Sequence, residues 1–430
     1  MASFTGLDFG TTNSAVAIAS RDGSVRLAKF SEGERLIETF RSILYFFHPL
    51  DSEAGDRYVA AGPEAIRAYL RADPRGRLIQ SLKSFLASRT FTQTILYKSF
   101  YRMEDLIGII IRELKSAAER QCGDLDGTVV VGRPVRFSGA VTPEDDDFAV
   151  TRLRAAVLQA GFDKVHFEYE PVAAAYRYER ELDHDELVLI ADFGGGTSDF
   201  SLLRLGPSMR ATEEGSREIL GTDGVAIAGN DFDSKLIRHM VGPELGLGAQ
   251  YRSHNKLLPV PSWLFKELER WHYLSFLKTK RTMSMLERIR IDSLEPEKVE
   301  NLIHVIKNEL GFNLYRAIEK TKVGLSAGEE ANFSFVDQPL EITKEIRRAE
   351  FETWIETYIS ALSECVDRLL ARCNVLAADV DSVFMTGGSS FVPAVRRLFA
   401  DRFGDSKLKS GGELTSVAEG LGLRALRMNA

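Results

Sequence analysis

Twice along this chain an apolar, strand-like run ends on an aspartate, breaks into glycine and small hydroxylic residues, and resumes as another strand. The first unit runs through Phe4 to Phe9, the Gly10-Thr11-Thr12 turn and Ser14 to Ser20; the second runs through Leu187 to Ala191, Gly194-Gly195-Gly196 and Asp199 to Leu205. Asp8 and Asp192 stand at matching places just before the glycines. A tight glycine turn brings successive backbone amides up to phosphate oxygens, and threonine hydroxyls add donors. The aspartates repel phosphate and so would act through a magnesium ion or an ordered water. Either unit alone is also what an ordinary hairpin turn looks like. Two in one chain favour a nucleotide clamp and a duplicated architecture facing a shared cleft.

Other phosphate sites are excluded by pattern. The chain has neither a Gly-x-x-x-x-Gly-Lys-Ser/Thr run nor a Gly-x-Gly-x-x-Gly fingerprint, and its glycine turns join strand to strand. A third glycine site, Thr386-Gly387-Gly388-Ser389-Ser390, follows the apolar Val383 to Met385 and precedes a helical pattern. Without Cβ atoms it can lie against a flat base or a ribose, or serve as a plain strand-to-helix loop.

Composition sets outer limits. With 430 residues, 44% hydrophobic and 27% charged, the chain is long enough for two or more globular domains. Its 55 basic and 62 acidic residues give a net charge of −7, which attracts neither nucleic acid nor anionic lipid. No window approaches the length of a membrane helix, and no leader-like segment precedes Phe4, so a cytoplasmic protein is expected. Cys122, Cys365 and Cys373 form no metal-ligand pattern and read as three reduced helical cysteines.

Between the motifs the pattern alternates. Val25 to Phe30 reads as a third strand, Gly62 to Ala68 and Met103 to Gln121 as helices, Thr128 to Val131 as a buried strand, and Leu153 to Ala160 as a helix stopped at Gly161. From about 236 to 324 the spacing is mostly helical, and Trp263, Phe265, Leu268, Trp271, Leu274, Phe276 and Leu277 form a dense apolar run expected to be helix–helix core. Phe333 to Val336 and Val383 to Thr386 read as strands, Lys344 to Leu370 and Val392 to Phe403 as helices.

These residues carry a resemblance. Gly6 to Ser14 and Asp192 to Asp199 resemble the two phosphate motifs of the Hsp70 and actin superfamily. The stretch Phe167 to Ala175 is similar to its interlobe connecting motif and Ala228 to Asp233 to the segment after the second phosphate loop. Ile318 to Ser326 and Met385 to Pro393 resemble the adenosine-contacting segments, and Thr415 to Ala425 the closing helix. Within the family, Val130 to Phe137, Glu168 to Tyr176 and Glu295 to Val299 look most like the short bacterial YegD-like putative chaperones.

The resemblance implies an α/β, actin-like ATPase (ribonuclease H-like) fold with two lobes around a central nucleotide cleft. Lobe I would cover 1–185, lobe II 186–382 with a helical subdomain at about 236–324, and 383–430 would complete the cleft and cross back. It implies ATP or ADP with Mg2+ as cofactors, and slow ATP hydrolysis. Asp8 and Asp192 would organise the metal, mainly through waters; Asp199 would sit near the attacking water, Lys83 would reach the γ-phosphate, and Glu170 would position metal or water. Gly10, Thr11, Thr12, Asn13, Gly194, Gly195, Gly196 and Thr197 would hold the phosphates. Gly229, Asn230, Glu319, Lys322, Val323, Ser326, Gly387, Gly388, Ser389 and Phe391 would meet the nucleoside. Pro134 and Arg154 fall where the family couples nucleotide state to a partner domain. Expected partners are the nucleotide and a protein client or co-chaperone, with no nucleic acid and no membrane.

Two departures stand out. Where the family carries cations that sandwich adenine, this chain has Val323 and Phe391. The sequence ends at Ala430, so the family's linker and peptide-binding domain are expected to be missing. Besides a working ATPase, the residues leave open a nucleotide sensor that scarcely hydrolyses, a polymerising actin-like protein, and a sugar kinase, for which no sugar-site motif is identifiable.

Overall fold

The computed structural model describes residues 4–33, 35–47, 58–71, 76–125, 127–210, 218–270, 274–412 and 414–428. By packing they form two compact units, one of Met1–Ala228 with Ile359–Ala430 and one of Gly229–Tyr358.

The first unit contains two sheets of the same design. In one the spatial order is Lys164–Tyr169, Thr128–Arg133, Phe4–Phe9, Asn13–Ala19, Val25–Leu27. In the other it is Leu408–Ser410, Ser382–Thr386, Glu186–Phe193, Ser198–Leu205, Glu218–Val225. Setting aside the short strand Phe40–Arg41, which pairs with the start of Asn13–Ala19 in the first sheet, both read fifth, fourth, first, second, third along the chain. In both, the first strand is antiparallel to the second and parallel to the fourth. The duplication suggested by the two glycine turns is therefore a duplication of topology, and Asp8 and Asp192 occupy the same penultimate place on their strands.

Packing explains the composition of these strands. Val129, Val130 and Val131 are all buried, as expected of a parallel strand covered on both faces. On one side, Leu106, Ile107, Ile110 and Leu114 of the helix Met103–Cys122 join Leu7, Phe9, Val129 and Val131 in one core. On the other, the helices Glu170–Tyr178 and Ser416–Met428 share a second core with residues of both sheets, among them Val130, Val188, Ile190, Leu203 and Phe384. A single helical layer thus ties the two sheets together.

The second unit is built mainly of helices, including Gly229–Leu236, Ser262–Glu269, Lys280–Asp292, Pro296–Lys307 and Gly311–Ala327, with the hairpin Glu330–Asp337/Leu340–Arg347. Phe265, Leu268, Leu274 and Leu277 are buried as expected, but Trp263 is 44% exposed. Trp271 and the Phe276 side chain lie outside the described residues.

Several boundaries differ from the sequence reading. Lys344–Arg347 is strand and the long helix starts at Arg348; Leu340, Ile342 and Ile346 are buried between the exposed Glu341, Thr343 and Glu345, a period of two. A hairpin, Gln250–Ser253 with Lys256–Pro259, interrupts the expected helical stretch, turning at His254 with φ 54°. The third strand breaks after Leu27 and resumes at Phe30, where the Lys29 amide donates to the Gln121 side chain at 2.9 Å. The helix expected from Leu153 begins ten residues earlier at Pro143. There the Thr142 amide donates to the Asp145 carboxylate at 3.2 Å and proline takes the first turn. No helix among the described residues is long and apolar enough to cross a membrane.

Candidate functional site

The site grows from the two hairpin turns. In the first, the Gly10 amide donates to Ser14 Oγ at 3.3 Å, and Ser14 Oγ pairs with Ser42 Oγ at 2.8 Å. In the second, the Gly194 amide donates to the Thr197 carbonyl at 2.9 Å, and Asp192 lies directly across from Asp199. The turns meet. A Cβ on Gly195 would stand 2.6 Å from Thr12 Oγ1, and one on Gly196 would stand 3.3 Å from both Thr11 Oγ1 and Ser84 Oγ. Glycine is needed there because the facing turn occupies the space a side chain would take. The result brings the backbone amides and hydroxyls of the two turns together, the chemistry that receives phosphate.

Around the same turns the fold gathers the charged residues. Lys83 lies in the short turn Leu82–Phe85, entered through Ser81 in a left-handed conformation (φ 56°). Glu170 opens the helix Glu170–Tyr178. Their side chains meet with Lys83 Nζ 2.5 Å from Glu170 Oε1, and both residues are only 7% exposed. Asp199 is 1% exposed and accepts a 2.7 Å hydrogen bond from the Val135 amide, next to the buried Pro134. Arg154 is engaged elsewhere, donating to the Val165 carbonyl at 2.5 Å with Phe167 beneath it.

Electrostatics mark this centre as strained. Burial, followed by the charge of Glu170, pushes Asp8 up to about 7. The same two causes push Asp199 up to about 7 and raise Asp192 well above the ordinary carboxylate range. Burial alone would lower Lys83, but Glu170, Asp8 and Asp199 together hold it above its ordinary value. Four carboxylates thus share one lysine, an excess of negative charge that a bound cation would relieve. Oxygen donors of this kind suit a hard divalent ion. Among the described residues no three such side chains converge closely enough to cage an ion directly. What these residues offer is a few outer oxygen donors, which fits a divalent ion that keeps most of its water shell.

The third glycine turn belongs to the same unit. Gly387 has φ +83°, and a Cβ there would stand 2.0 Å from the Phe193 carbonyl oxygen. This turn is thereby seated on the end of the strand that leads into the second glycine turn. Ser390 Oγ donates to the Gly387 carbonyl at 2.7 Å, Ser389 is buried, and Phe391 is 55% exposed.

The remaining expected residues lie in the second unit. There Lys322 Nζ is 2.7 Å from Asp233 and donates to the Gly229 carbonyl at 3.4 Å. Ser326 Oγ donates to the Lys322 carbonyl, while Val323 is 62% exposed. The helix bearing Glu319, Lys322, Val323 and Ser326 is thus pinned to the start of the helix bearing Gly229 and Asn230.

Sequence reasoning missed the partners that brace these groups. Ser84 sits beside Lys83 and faces Gly196, a role its small hydroxyl could have suggested. Ser42 and the Val135 amide meet the site from distant segments, without any local signal.

The family described as Hsp70 protein matches residues 86–245 and 296–425. The chain is similar to the chaperone protein DnaK of Thermotoga maritima, 24% identical over 422 residues, covering 98% of this chain and 58% of that protein. It is similar at 24% identity to the chaperone protein DnaK of Thermosipho melanesiensis, covering 98% of this chain and 58% of the relative. The same holds for that of Thermus thermophilus, with 99% and 61% covered. The chain therefore spans less than two thirds of the length of these relatives. Since the matched segments make up well over half of its residues, the chain belongs to the Hsp70 family, whose domain has the actin-like ATPase fold.

Proposed function

We propose that the chain binds ATP with magnesium and hydrolyses it slowly, as a chaperone-type or regulatory ATPase of the YegD-like kind. The observation that carries this reading is the meeting of two glycine turns, Gly195 against Thr12, beside the buried Lys83–Glu170 pair and three aspartates of raised pKa. The amides and hydroxyls of the turns hold the phosphates, and Lys83 supplies positive charge to the γ-phosphoryl group as it leaves ADP. Asp199, held by the Val135 amide, orients the attacking water and takes its proton, for which a pKa of about 7 is well matched. Magnesium, when bound, screens the phosphate charges. Asp8 and Asp192 would hold it, mainly through waters.

Gly387 and Gly388, with Ser389 and Phe391, form the nucleoside side of the first unit's site; on the second unit the residues assigned to nucleoside contact are Gly229, Asn230, Glu319, Lys322, Val323 and Ser326. The lobes run over 1–185 and 186–382, with 383–430 returning to the first. Neither Phe391 nor Val323 offers a cation to an aromatic base, which lowers affinity relative to family members that carry cations at these positions. Nucleotide state is passed to a protein client or co-chaperone in the cytoplasm.

Calorimetric titration of nucleotide-free protein with ATP, ADP and GTP in magnesium, followed by phosphate release from the same sample, tests this. Selective ATP binding with release is the expected result. Absence of binding refutes the proposal, and tight binding without release reduces it to a nucleotide sensor.

A further inference from the structure

Resting on that reading, we propose that Arg152 is a positioning residue for Lys83. Arg152 stands on the helix Pro143–Gln159 and is 4% exposed. Its guanidinium reaches under the segment that follows Lys83 and gathers that segment's backbone carbonyls. Nη1 donates to Phe85 O at 3.4 Å, Leu86 O at 3.3 Å and Ser88 O at 3.1 Å, and Nη2 to Phe91 O at 3.0 Å. Nε donates to Glu104 at 2.8 Å, which neutralises the buried charge. Phe148 lies against the guanidinium, 5.2 Å from ring centroid to its central carbon.

This arrangement answers a local need. The turn Leu82–Phe85 is short, and Ser81 enters it in a conformation uncommon for a residue with a side chain. Ser84 N to Ser81 O, Leu86 N to Lys83 O and Ser88 N to Phe85 O close the turn, and Leu82, Leu86 and Ala87 anchor it in the core. Arg152 adds a tie from outside the segment. The planar, five-donor fork of arginine can serve several carbonyls from one place, which the point charge of a lysine cannot. Arg89 adds a second strap from the same segment, pairing with Asp145 on the Arg152 helix at 3.0 Å. Arg152 touches neither Lys83 nor the phosphate turns. It acts by holding the backbone on which Lys83 stands, so that Lys83 Nζ is presented to Glu170 in the resting protein and to phosphate in the loaded one.

The test uses Arg152→Lys, which keeps the charge for Glu104 but loses the carbonyl fork, so the protein is expected to fold. In nucleotide-free protein, deuterium uptake by the amides of 82–91 should rise about tenfold, and acylation of Lys83 by an amine-directed reagent should quicken by a similar factor. Phosphate release should fall about tenfold in kcat while ADP affinity stays within about threefold. In a Lys83→Ala background Arg152→Lys should cost no further activity, because both changes remove the same group. Unchanged uptake and acylation would overturn the proposal, as would losses that multiply in the double variant. Should the parent protein release no phosphate, the ATPase reading fails by that result alone, and the uptake and acylation rates still decide whether Arg152 holds Lys83.

Discussion

Asp199→Asn should stabilise the nucleotide-free protein while abolishing turnover. Asp199 is 1% exposed, and burial with the charge of Glu170 raises it from 3.8 to about 7. Between those two values the folded chain keeps a proton that the unfolded chain has released. Folding therefore loses stability as pH rises through the window, and the loss is complete above about pH 7. At about 1.4 kcal/mol per pKa unit, a shift of roughly three units corresponds to about 4 kcal/mol of destabilisation. Asparagine removes the charge and keeps an oxygen for the Val135 amide, which now donates to Asp199 at 2.7 Å. Burying the neutral amide costs part of the gain, leaving about 2 kcal/mol at about pH 8. Urea unfolding in a chelating buffer, at about pH 8 and about pH 4, measures it. The variant should unfold at higher urea than the parent in the basic buffer, and the order should reverse in the acidic one, where the parent's carboxyl is protonated and only the cost of burying the amide is left. A variant no more stable than the parent at about pH 8, or an advantage that survives acidification, would refute the claim that the carboxylate is charged against the fold.

Three further outcomes are expected. Asp8→Asn and Asp192→Asn should each lower magnesium-dependent phosphate release by about a hundredfold with far-ultraviolet dichroism unchanged; parental rates in both variants would remove them from the site. Gly195→Val places a Cβ 2.6 Å from Thr12 Oγ1, close enough to push the facing turn away, so calorimetry should show ATP affinity falling about tenfold or more. Unaltered affinity would mean that the two turns do not hold phosphate together. Val323→Arg with Phe391→Arg adds two cations worth about 0.5 to 2 kcal/mol each against an aromatic base. ATP should then bind roughly tenfold to a hundredfold tighter, and weaker binding by a folded variant would reject the missing-cation explanation.

The fold was most legible where one rule decided the outcome. Both glycine hairpins, the helix Met103–Cys122 and the strand Ser382–Thr386 follow from periodicity and turn chemistry, within a residue or two of their observed ends. It was least legible where two periods overlapped. Lys344–Arg347 is strand because Ile342 and Ile346 bury on one face of a hairpin, yet the charged residues around them suit a helix equally well. The Gln250–Pro259 hairpin carries little alternation, and only its position in the unit makes it strand.

At the site, the legible residues are those whose chemistry is peculiar to their type. Glycine where no Cβ fits, aspartate at a strand end and threonine beside it leave a pattern that can be read in one dimension. Arg152 leaves none. It recognises backbone carbonyls, which every residue has, so the segment it holds, 85–91, needs no special composition and displays none. Its burial is equally silent, because Glu104, the partner that permits it, lies 48 residues away. The same holds for the Val135 amide under Asp199 and for Ser42 behind Ser14. A sequence therefore exposes the groups that would touch a ligand more readily than the groups that hold them still. In a site whose turns are short and whose charges repel, the second set decides whether the first can work.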